Sequence, residues 1–386
     1  MKRKVVSVLL STAMAVTMLA GCGGNSGSAA APASEAAPAS EAAATETASS
    51  VEAAASEIAS SEAGTEAAAS GEAISVGFAQ VGHESDWRTA ATKSVQDAFS
   101  AENGFDLQFV DCDNDSAAQL EAVRNFIQQD VDYIVIDPIV STGWDTVLQE
   151  CEDAGIPVIV IDRTIDDSDK YTAWVGSQFT NEGLAAGAWL KDYAAAKGMD
   201  ELNILVISGT TGASAQLGRS NGFDEYVKAE GWNKLDEQTG DFTQEGGQEV
   251  MESYCKSYAG KFNVVVCQND NEAFGAQQAM DAAGVSYGVG GDVVLISFDA
   301  CTAGLQQVLD GKINADFQCN PLSGPDCAAI VQKLQAGEEV EKETFMAEPW
   351  YVAESDLTSI TYKNASGEEV TEDLIPVTQE IVDAAY

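Results

Sequence analysis

From residue 74 onward, short apolar runs alternate with longer segments in which apolar residues recur every three or four positions. A short apolar run is typical of a buried strand, and the longer periodicity is typical of an amphipathic helix. This pattern predicts strands at residues 74–79, 106–111, 133–136, 157–161, 202–208, 263–268, 293–297 and 315–318. It predicts helices at residues 85–102, 116–129, 143–154, 180–197, 214–229, 244–259, 271–283 and 302–310.

The repetition of strand and helix predicts the fold class. Repeated β-α units form parallel sheets with helices on both faces. The chain has more strands than one small sheet needs, and its 386 residues suffice for two lobes. We therefore predict an α/β protein with two doubly wound parallel-sheet lobes and a break near Trp174–Gln178. Further along, the pattern predicts a strand at 343–352, a hairpin at 362–370 and a helix at 378–385.

The first 22 residues have the pattern of a secretory signal. Basic residues at positions 2–4 precede an apolar stretch at 5–20, which is shorter than the roughly 20 residues that span a bilayer. The sequence LAGC at 19–22 resembles the lipobox of bacterial lipoproteins. The resemblance implies cleavage before Cys22 and lipidation of its thiol, which would anchor the secreted protein to the outer face of the cell membrane.

Residues 23–73 consist mostly of Ala, Ser, Glu, Thr, Gly and Pro, with no basic and no aromatic residue. Such a segment cannot bury a hydrophobic core. We predict that it is a disordered tether, with a root-mean-square span of roughly 40 Å.

The charge and the cysteines exclude several classes of function. The chain has 19 basic and 62 acidic residues, and this balance argues against nucleic acid and anionic lipid as partners bound through charge. Eight cysteines without a C-x-x-C spacing and a single histidine, His83, form no metal-ligand pattern, so we predict neither metal nor cofactor. Seven cysteines remain besides Cys22. Cys255 and Cys267 could pair, and buried free thiols are equally consistent.

Polar side chains follow the predicted strands at their carboxyl ends, which face the ligand crevice in an open α/β sheet. The loop and the helix start after the first strand carry Glu84, Ser85, Asp86, Trp87 and Arg88. Later strands are followed by Asp137, by Asp162 and Arg163, by the 209–214 loop with Arg219 on the next helix, and by Asn269, Asp299 and Gln318. We expect such a set to converge on one crevice.

These side chains suit a sugar. Asp, Asn and Arg can each satisfy two neighbouring hydroxyls, and the face of Trp87 could cover the C–H surface of a sugar ring. A glycosidase needs two carboxylates across the scissile bond, which Asp162 and Asp299 could supply. However, Arg163 beside Asp162 favours a permanently ionised carboxylate, so we predict a binding protein and not an enzyme.

Six stretches carry a resemblance to a known family. They are VGFAQVGHESDWR at 76–88, VDYIVIDPIVSTGW at 131–144, DAGIPVIVIDRTID at 153–166, GTTGASAQLGRSNGF at 209–223, GDFTQEGGQEVMES at 240–253 and NDNEAFGA at 269–276. From residue 74 to about 318 the chain resembles the type I periplasmic sugar-binding proteins of the ribose/galactose class, the receptors of ABC importers. The ESDWR and IDRTID segments make it most similar to the members that bind galactofuranose.

The resemblance implies two lobes joined by a three-segment hinge. The first lobe would comprise residues 74–176 and 321–350, and the second residues 177–320 and 351–386. Residues 84–88 would form a wall of the first lobe, in which Trp87 stacks on the sugar and Arg88 donates to hydroxyls. Asp162 and Arg163 would bind from the same lobe, and Arg219, Asn269, Asp299 and Gln318 from the second.

Other interpretations stay open for single residues. Asp162 could cap a turn, Arg219 could be a charge on a helix surface, and Asn269 could be the N-cap of the helix that follows it. Leu217 stands where ribose receptors carry an arginine, which departs from ribose recognition.

The function implied by the resemblance is capture of one monosaccharide by a monomeric protein that delivers it to an ABC permease. Galactofuranose, galactose and arabinose-like sugars all present suitable hydroxyls, and the sequence leaves the choice open. A sensory role, with docking to a chemoreceptor or kinase, needs no change in the pocket. A repressor-type regulator shares the fold, but it would need a basic DNA-binding helix pair ahead of the lobes.

Overall fold

The computed structural model describes residues 73–386. The predicted signal peptide, its lipobox Cys22 and the tether up to residue 72 lie outside the described residues. Within residues 73–386, no helix combines the length and the apolar character needed to cross a membrane.

Fourteen strands and ten helices follow one another along the described chain. The strands are β1 (Ile74–Gln80), β2 (Phe105–Asp111), β3 (Tyr133–Ile136), β4 (Val158–Ile161), β5 (Ala173–Gly176), β6 (Asn203–Ser208), β7 (Asn233–Thr239), β8 (Val264–Cys267), β9 (Val294–Asp299), β10 (Ala315–Gln318), β11 (Glu343–Phe345), β12 (Trp350–Val352), β13 (Ser359–Lys363) and β14 (Glu369–Pro376). The helices are α1 (Asp86–Ala98), α2 (Ser116–Gln128), α3 (Asp145–Ala154), α4 (Phe179–Lys197), α5 (Ser214–Glu230), α6 (Gln244–Ser257), α7 (Asp270–Ala283), α8 (Thr302–Leu309), α9 (Gly324–Gln335) and α10 (Gln379–Ala384).

The first sheet has six parallel strands in the order β11-β5-β4-β3-β1-β2. Val76 of β1 lies opposite Leu107 of β2 on one side and Tyr133 of β3 on the other. The residues of β3 and β4 are all buried, as expected for strands that are covered by helices on both faces. Two clusters of buried apolar residues, one on each face of this sheet, form the core of the first lobe.

The second sheet has eight strands in the order β13-β14-β12-β10-β9-β8-β6-β7. Strands β6 to β10 are parallel, β12 runs antiparallel to β10, and β13 and β14 form an antiparallel hairpin at one edge. The predicted α/β fold with two parallel-sheet lobes is confirmed, and so is the additional hairpin. The seven cysteines in the described part of the chain are free thiols, and six of them are buried.

The chain passes between the two sheets three times. The crossings follow β5, β10 and β11, at residues 177–178, 319–323 and 346–349. The predicted strand at 343–352 was wrong as a single strand, because β11 belongs to the first sheet and β12 to the second. The segment between them contains Pro349, which has no backbone N–H for a ladder. Trp350, placed in the first lobe on sequence grounds, pairs with Phe317 in the second sheet.

Three elements had no counterpart in the predicted set. Strand β7, with the sequence NKLDEQT, lies at the edge of its sheet and is only partly buried, so it lacks an apolar run. Strand β5 has only four residues and overlaps the predicted break between the lobes. Helix α9 packs its buried face against α1 and β5 of the first lobe.

Candidate functional site

A cavity with an empty volume of about 290 Å³ lies between the carboxyl ends of the two sheets. Nine of the eleven residues predicted for the site line it, together with four others. The lining residues are Glu84, Ser85, Trp87, Arg88, Asp162, Arg163, Phe179, Ala215, Arg219, Phe242, Asn269, Asp299 and Cys319. The side chains that the sequence placed after separate strands therefore do meet in one crevice.

Arg88 is the centre of the first-lobe wall. Its Nε donates to Glu84 Oε1 at 2.8 Å, its Nη2 donates to Asp162 Oδ2 at 2.8 Å, and its Nη1 donates to Asp137 Oδ2. Burial disfavours the charge of Arg88, but these carboxylates outweigh burial and raise the pKa of the guanidinium well above its ordinary value. Arg88 is therefore a fixed cation whose orientation three carboxylates determine.

Arg163 extends the same wall. Its Nη1 donates to the carbonyl oxygen of Ile139 at 2.9 Å and its Nη2 to Glu84 Oε1 at 3.4 Å. Burial opposes ionisation of Glu84, but the charges of Arg88 and Arg163 outweigh it and hold the pKa of Glu84 below its ordinary value. The guanidinium of Arg163 also lies 5.3 Å from the ring centre of Phe242, which belongs to the second lobe.

Arg219 is the corresponding cation of the second lobe. Its Nε donates to Glu182 Oε2 at 2.6 Å, its Nη2 to Asp299 Oδ1 at 3.1 Å, and its Nη1 to the carbonyl oxygen of Gln268. Only 3% of Arg219 is exposed, so the interpretation as a charge on a helix surface was wrong. Its guanidinium lies 5.7 Å from the ring centre of Phe179 and 5.0 Å from that of Phe298.

The two aspartates at strand ends have unusual backbone conformations. Asp162, directly after β4, has φ 58°, and Asp299, the last residue of β9, has φ 100°. Residues other than glycine avoid positive φ, although Asp tolerates it better than most. Strain of this kind persists where surrounding contacts hold it, often at functional sites. Here it accompanies two buried carboxylates on opposite sides of the cavity.

Aromatic rings form much of the remaining wall. The indole Nε1 of Trp87 donates to the carbonyl oxygen of Cys319 at 2.7 Å, which fixes the orientation of the ring. Phe179, Phe242, Ala215 and Cys319 line the cavity but were not predicted. Phe242 lies within one of the stretches that carry the family resemblance, and Cys319 directly follows the predicted Gln318. The resemblance and the strand-end pattern could therefore have indicated these two residues.

Asn269 and Ser85 each combine a place in the cavity wall with a capping role. Asn269 Oδ1 accepts the N–H of Glu272 at 2.8 Å as the N-cap of α7, and its Nδ2 donates to the carbonyl oxygen of Phe242 at 2.9 Å. The N-cap interpretation of Asn269 is thus confirmed. Ser85 Oγ accepts the N–H of Arg88 at 3.1 Å as the N-cap of α1.

Asp86 and Gln318 were predicted for the site, and the structure places both outside the cavity wall. Asp86 is exposed, and its backbone N–H donates to Asn271 Oδ1 of the second lobe at 3.0 Å. Gln318 precedes Cys319, and neighbouring residues of an extended chain point to opposite sides. Because Cys319 faces the cavity, Gln318 faces away from it.

Hydrogen bonds across the cleft hold the lobes against each other. The N–H of Thr164 donates to Ser214 Oγ at 2.8 Å, and the N–H of Ser141 donates to the carbonyl oxygen of Gly212 at 3.0 Å. With the contact between Asp86 and Asn271, these bonds define a closed arrangement around the cavity.

One group of side chains within residues 73–386 brings three potential metal ligands together, namely Glu182, Cys319 and Glu348. Donors of the protein already bind one oxygen of each carboxylate, because Arg219 donates to Glu182 Oε2, and Ser177 Oγ and the N–H of Asn320 donate to Glu348 Oε1. Burial raises the pKa of Glu348 well above its ordinary value. In this hinge group, Glu348 therefore favours its protonated form, which suits a metal ligand poorly.

The comparison with protein families decides the classification. Residues 76–339 match the model of the periplasmic binding protein domain. The chain belongs to this family.

Individual relatives of this periplasmic binding protein agree with the match. It is 35% identical over 300 residues to the galactofuranose-binding protein YtfQ of Escherichia coli, with 76% of this chain and 92% of the relative covered. A Mycobacterium smegmatis protein solved in complex with β-D-fucofuranose has a TM-score of 0.69 and 42% identity, with 73% of this chain and 92% of that chain covered.

A third relative is the arabinose-binding component of an ABC transporter from Shewanella sp. ANA-3, solved with α- and β-L-arabinofuranose. Its TM-score is 0.68 and its identity 34%, with 72% of this chain and 92% of that chain covered. The Escherichia coli and Shewanella relatives are named as binding proteins, in agreement with the prediction that this periplasmic binding protein is not an enzyme.

Proposed function

We propose that this periplasmic binding protein captures one monosaccharide in its furanose form between the lobes and delivers it to the permease of an ABC importer. The observation that carries the proposal is the composition of the cavity between the lobes. Three arginines, three acidic side chains, one asparagine and one tryptophan line it. Even with the solvent at its mouth included, the empty space is only about 290 Å³, which favours a single sugar ring over an oligosaccharide.

The wall of the first lobe suits hydroxyl groups in particular. A guanidinium has five N–H donors, and Arg88 uses three of them on carboxylates. Its remaining donors and the free lone pairs of Asp162 can serve neighbouring sugar hydroxyls, which each donate and accept. Trp87, held by Cys319, can cover the apolar face of the ring.

The second lobe would complete the site. Asp299 and Arg219 approach from the opposite side, and Asn269 retains amide capacity beyond its capping bonds. A ligand shifts an equilibrium between open and closed lobes only by its differential affinity for the two states. Groups from both lobes on one sugar supply that difference, so the bound sugar stabilises the closed form that a permease recognises.

The relatives favour a furanose. One relative is named for galactofuranose, and the other two were solved with fucofuranose and arabinofuranose. We include in the proposal the division into lobes at residues 74–176 with 321–349 and 177–320 with 350–386, and the anchoring of the secreted protein to the membrane through lipidated Cys22.

Calorimetric titration of galactofuranose, arabinose, galactose, ribose and fructose into the full mature chain tests the ligand class. We expect tight binding of a sugar that presents a furanose ring. Trp87→Ala should weaken that binding by about 2–3 kcal/mol, or roughly 30- to 150-fold, because it removes an aromatic wall at the centre of the site. Phe345→Ala, which truncates an aromatic side chain that is 52% exposed, is the matched control and should bind as wild type does.

Absence of binding to every sugar, or equal affinities of wild type and Trp87→Ala, would contradict the proposal. Sugar uptake by vesicles that contain the cognate permease and ATPase tests delivery. Sugar binding without stimulation of uptake would instead favour the sensory role.

A further inference from the structure

The loop that presents Asp299 has an unfavourable backbone conformation at two successive positions. Asp299 has φ 100° and Ala300 has φ 56°, both in the left-handed region. Neither is glycine, so this conformation persists only if other contacts hold it. The residues that hold the 299–301 loop therefore decide where the Asp299 carboxylate points.

Two buried carboxyl groups below the loop supply such contacts. Asp316 Oδ1 accepts the N–H of Ala300 at 3.1 Å, and Asp270 Oδ2 accepts the N–H of Cys301 at 2.9 Å. Asp270 Oδ1 accepts the hydroxyl of Ser297 at 2.6 Å. Hydrogen bonds to two acids from separate elements, one on α7 and one on β10, therefore hold the loop in place.

The two acids face each other without a counter-ion. Asp270 is 1% exposed and Asp316 is fully buried. Within the described chain, Asp316 Oδ2 has no hydrogen-bond partner. The titratable groups that face the pair are all acidic, namely Asp299 of β9, Cys301 before α8, Cys267 of β8, Tyr351 of β12 and Tyr386. Two further groups, the cation Arg219 and the acid Glu272, act on Asp299.

Two adjacent carboxylates in such a place cannot both be ionised, because burial and mutual repulsion both disfavour the second charge. A proton on Asp316 Oδ2 removes the repulsion between the two carboxylates and also pairs the oxygen that lacks a partner. It gives the orphaned oxygen a donor hydrogen, and Asp270 is the acceptor that it faces. Gly304 in the first turn of α8 keeps the arrangement compact, since a Cβ there would overlap the carboxyl of Asp270.

We propose that Asp270 and Asp316 share one proton, carried by Asp316, and act as positioning residues that aim Asp299 into the ligand cavity. The role at the ligand rests on the proposed function, whereas the shared proton does not. Burial raises the pKa of both carboxyl groups. Loss of the shared proton at alkaline pH therefore leaves two repelling carboxylates under the loop, releases its N–H contacts and weakens ligand binding.

The experiment compares three amide variants by sugar titration across the pH range. Asp316→Asn replaces the protonated acid by an amide that can donate to Asp270 and accept from Ala300, so it should bind within about threefold of wild type. It should also lose the part of the alkaline weakening that the shared proton causes, while the part due to Glu272, whose pKa burial raises to about 8, remains. Asp270→Asn leaves one acceptor oxygen where two donors already bind, so it should bind about tenfold or more weakly. Asp310→Asn, an exposed acid after α8, is the control and should keep the wild-type affinity and pH profile.

Equal effects of the two buried amide variants, or an alkaline weakening as large in Asp316→Asn as in wild type, would overturn the proposal. Hydrogen exchange of the Ala300 and Cys301 amides in the sugar-free protein separates this inference from the ligand assignment. We expect the protection of these amides to fall with rising pH in wild type and to fall less in Asp316→Asn. Identical exchange profiles overturn the shared proton even if the sugar binds, and different profiles support it even if no sugar binds.

Discussion

The two lobes differ in the number of arginines that bind their buried acids. In the first lobe, Glu84, Asp137 and Asp162 all accept hydrogen bonds from Arg88. Arg88 and Arg163 hold the pKa of Glu84 below its ordinary value, whereas burial raises the pKa of Asp137. In the second lobe, Arg219 serves only two acids, Glu182 and Asp299. The other buried acids of that lobe accept hydrogen bonds from backbone N–H groups, and burial favours their protonated forms.

Glu84 and Glu272 illustrate the contrast. The arginines hold the pKa of Glu84 below its ordinary value. Glu272 accepts the N–H groups of Phe242 and Gln268 at 3.0 Å, and burial raises its pKa to about 8. The arginines therefore favour the ionised form of Glu84 in the first-lobe wall of the cavity. Burial favours the protonated form of Glu272, which binds the N–H of Phe242 but does not itself line the cavity.

We expect the largest effect when the central cation of either lobe is removed. Arg88→Met leaves three buried acids without their partner, and we expect it to lower the free energy of unfolding by about 3–5 kcal/mol. Arg219→Met leaves two acids, and they are nearer to neutrality, so its effect should be smaller. Urea unfolding of the sugar-free protein measures both.

Arg124→Met is the control for these variants, because Arg124 makes an ion pair with Glu150 in which both side chains are about 40% exposed. It should change stability by less than about 1 kcal/mol. If Arg219→Met lowered the free energy of unfolding by as much as Arg88→Met or more, the proposed difference between the lobes would be contradicted.

The pH dependence is the next test. The folded pKa of Glu84 is lowered, so its contribution to stability is present above about pH 4.5 and is lost as the pH falls through the folded pKa. The folded pKa of Glu272 is raised, so its contribution is present below about pH 4.5 and is lost as the pH rises to about 8. Acid should therefore loosen the first lobe, and mild alkali the second.

Hydrogen exchange resolved by lobe measures this difference at acidic, near-neutral and mildly alkaline pH. The amides of β1 and β3 report on the first lobe, and those of β6 and β8 on the second. Parallel changes of protection in both lobes would show that their acids are not stabilised differently.

The smallest expected effect concerns closure. Ser214 Oγ accepts the N–H of Thr164 across the cleft and lies outside both arginine clusters. Ser214→Ala should therefore weaken sugar binding by about 0.5–1.5 kcal/mol while the unfolding of the sugar-free protein changes less. Calorimetric titration together with urea unfolding measures the two quantities. Ser168→Ala, which removes a hydroxyl bonded to Asp145 at 3.1 Å within the first lobe, is the control.

The sequence alone determined the repeated β-α units, the two lobes and the polar residues at the strand ends. Apolar periodicity is a local property, and the strand-end rule follows from the parallel sheet, so nine site residues could be named before any coordinates. Elements with weak local signals were missed. Strand β7 is a partly buried edge, and the pattern of residues 343–352 contains nothing that assigns β11 and β12 to different sheets.

Only the tertiary structure decided which partners the charged residues have. Arg88 meets Asp137 and Asp162 across 49 and 74 positions of the chain, and Asp270 and Asp316 lie under Asp299 although they belong to different elements. Such pairings depend on strand order and on the closure of the lobes, which no local pattern encodes. The sequence therefore supplied the chemical groups of the cavity, and the packing of two sheets determined which of these groups face the ligand and which hold the others in place.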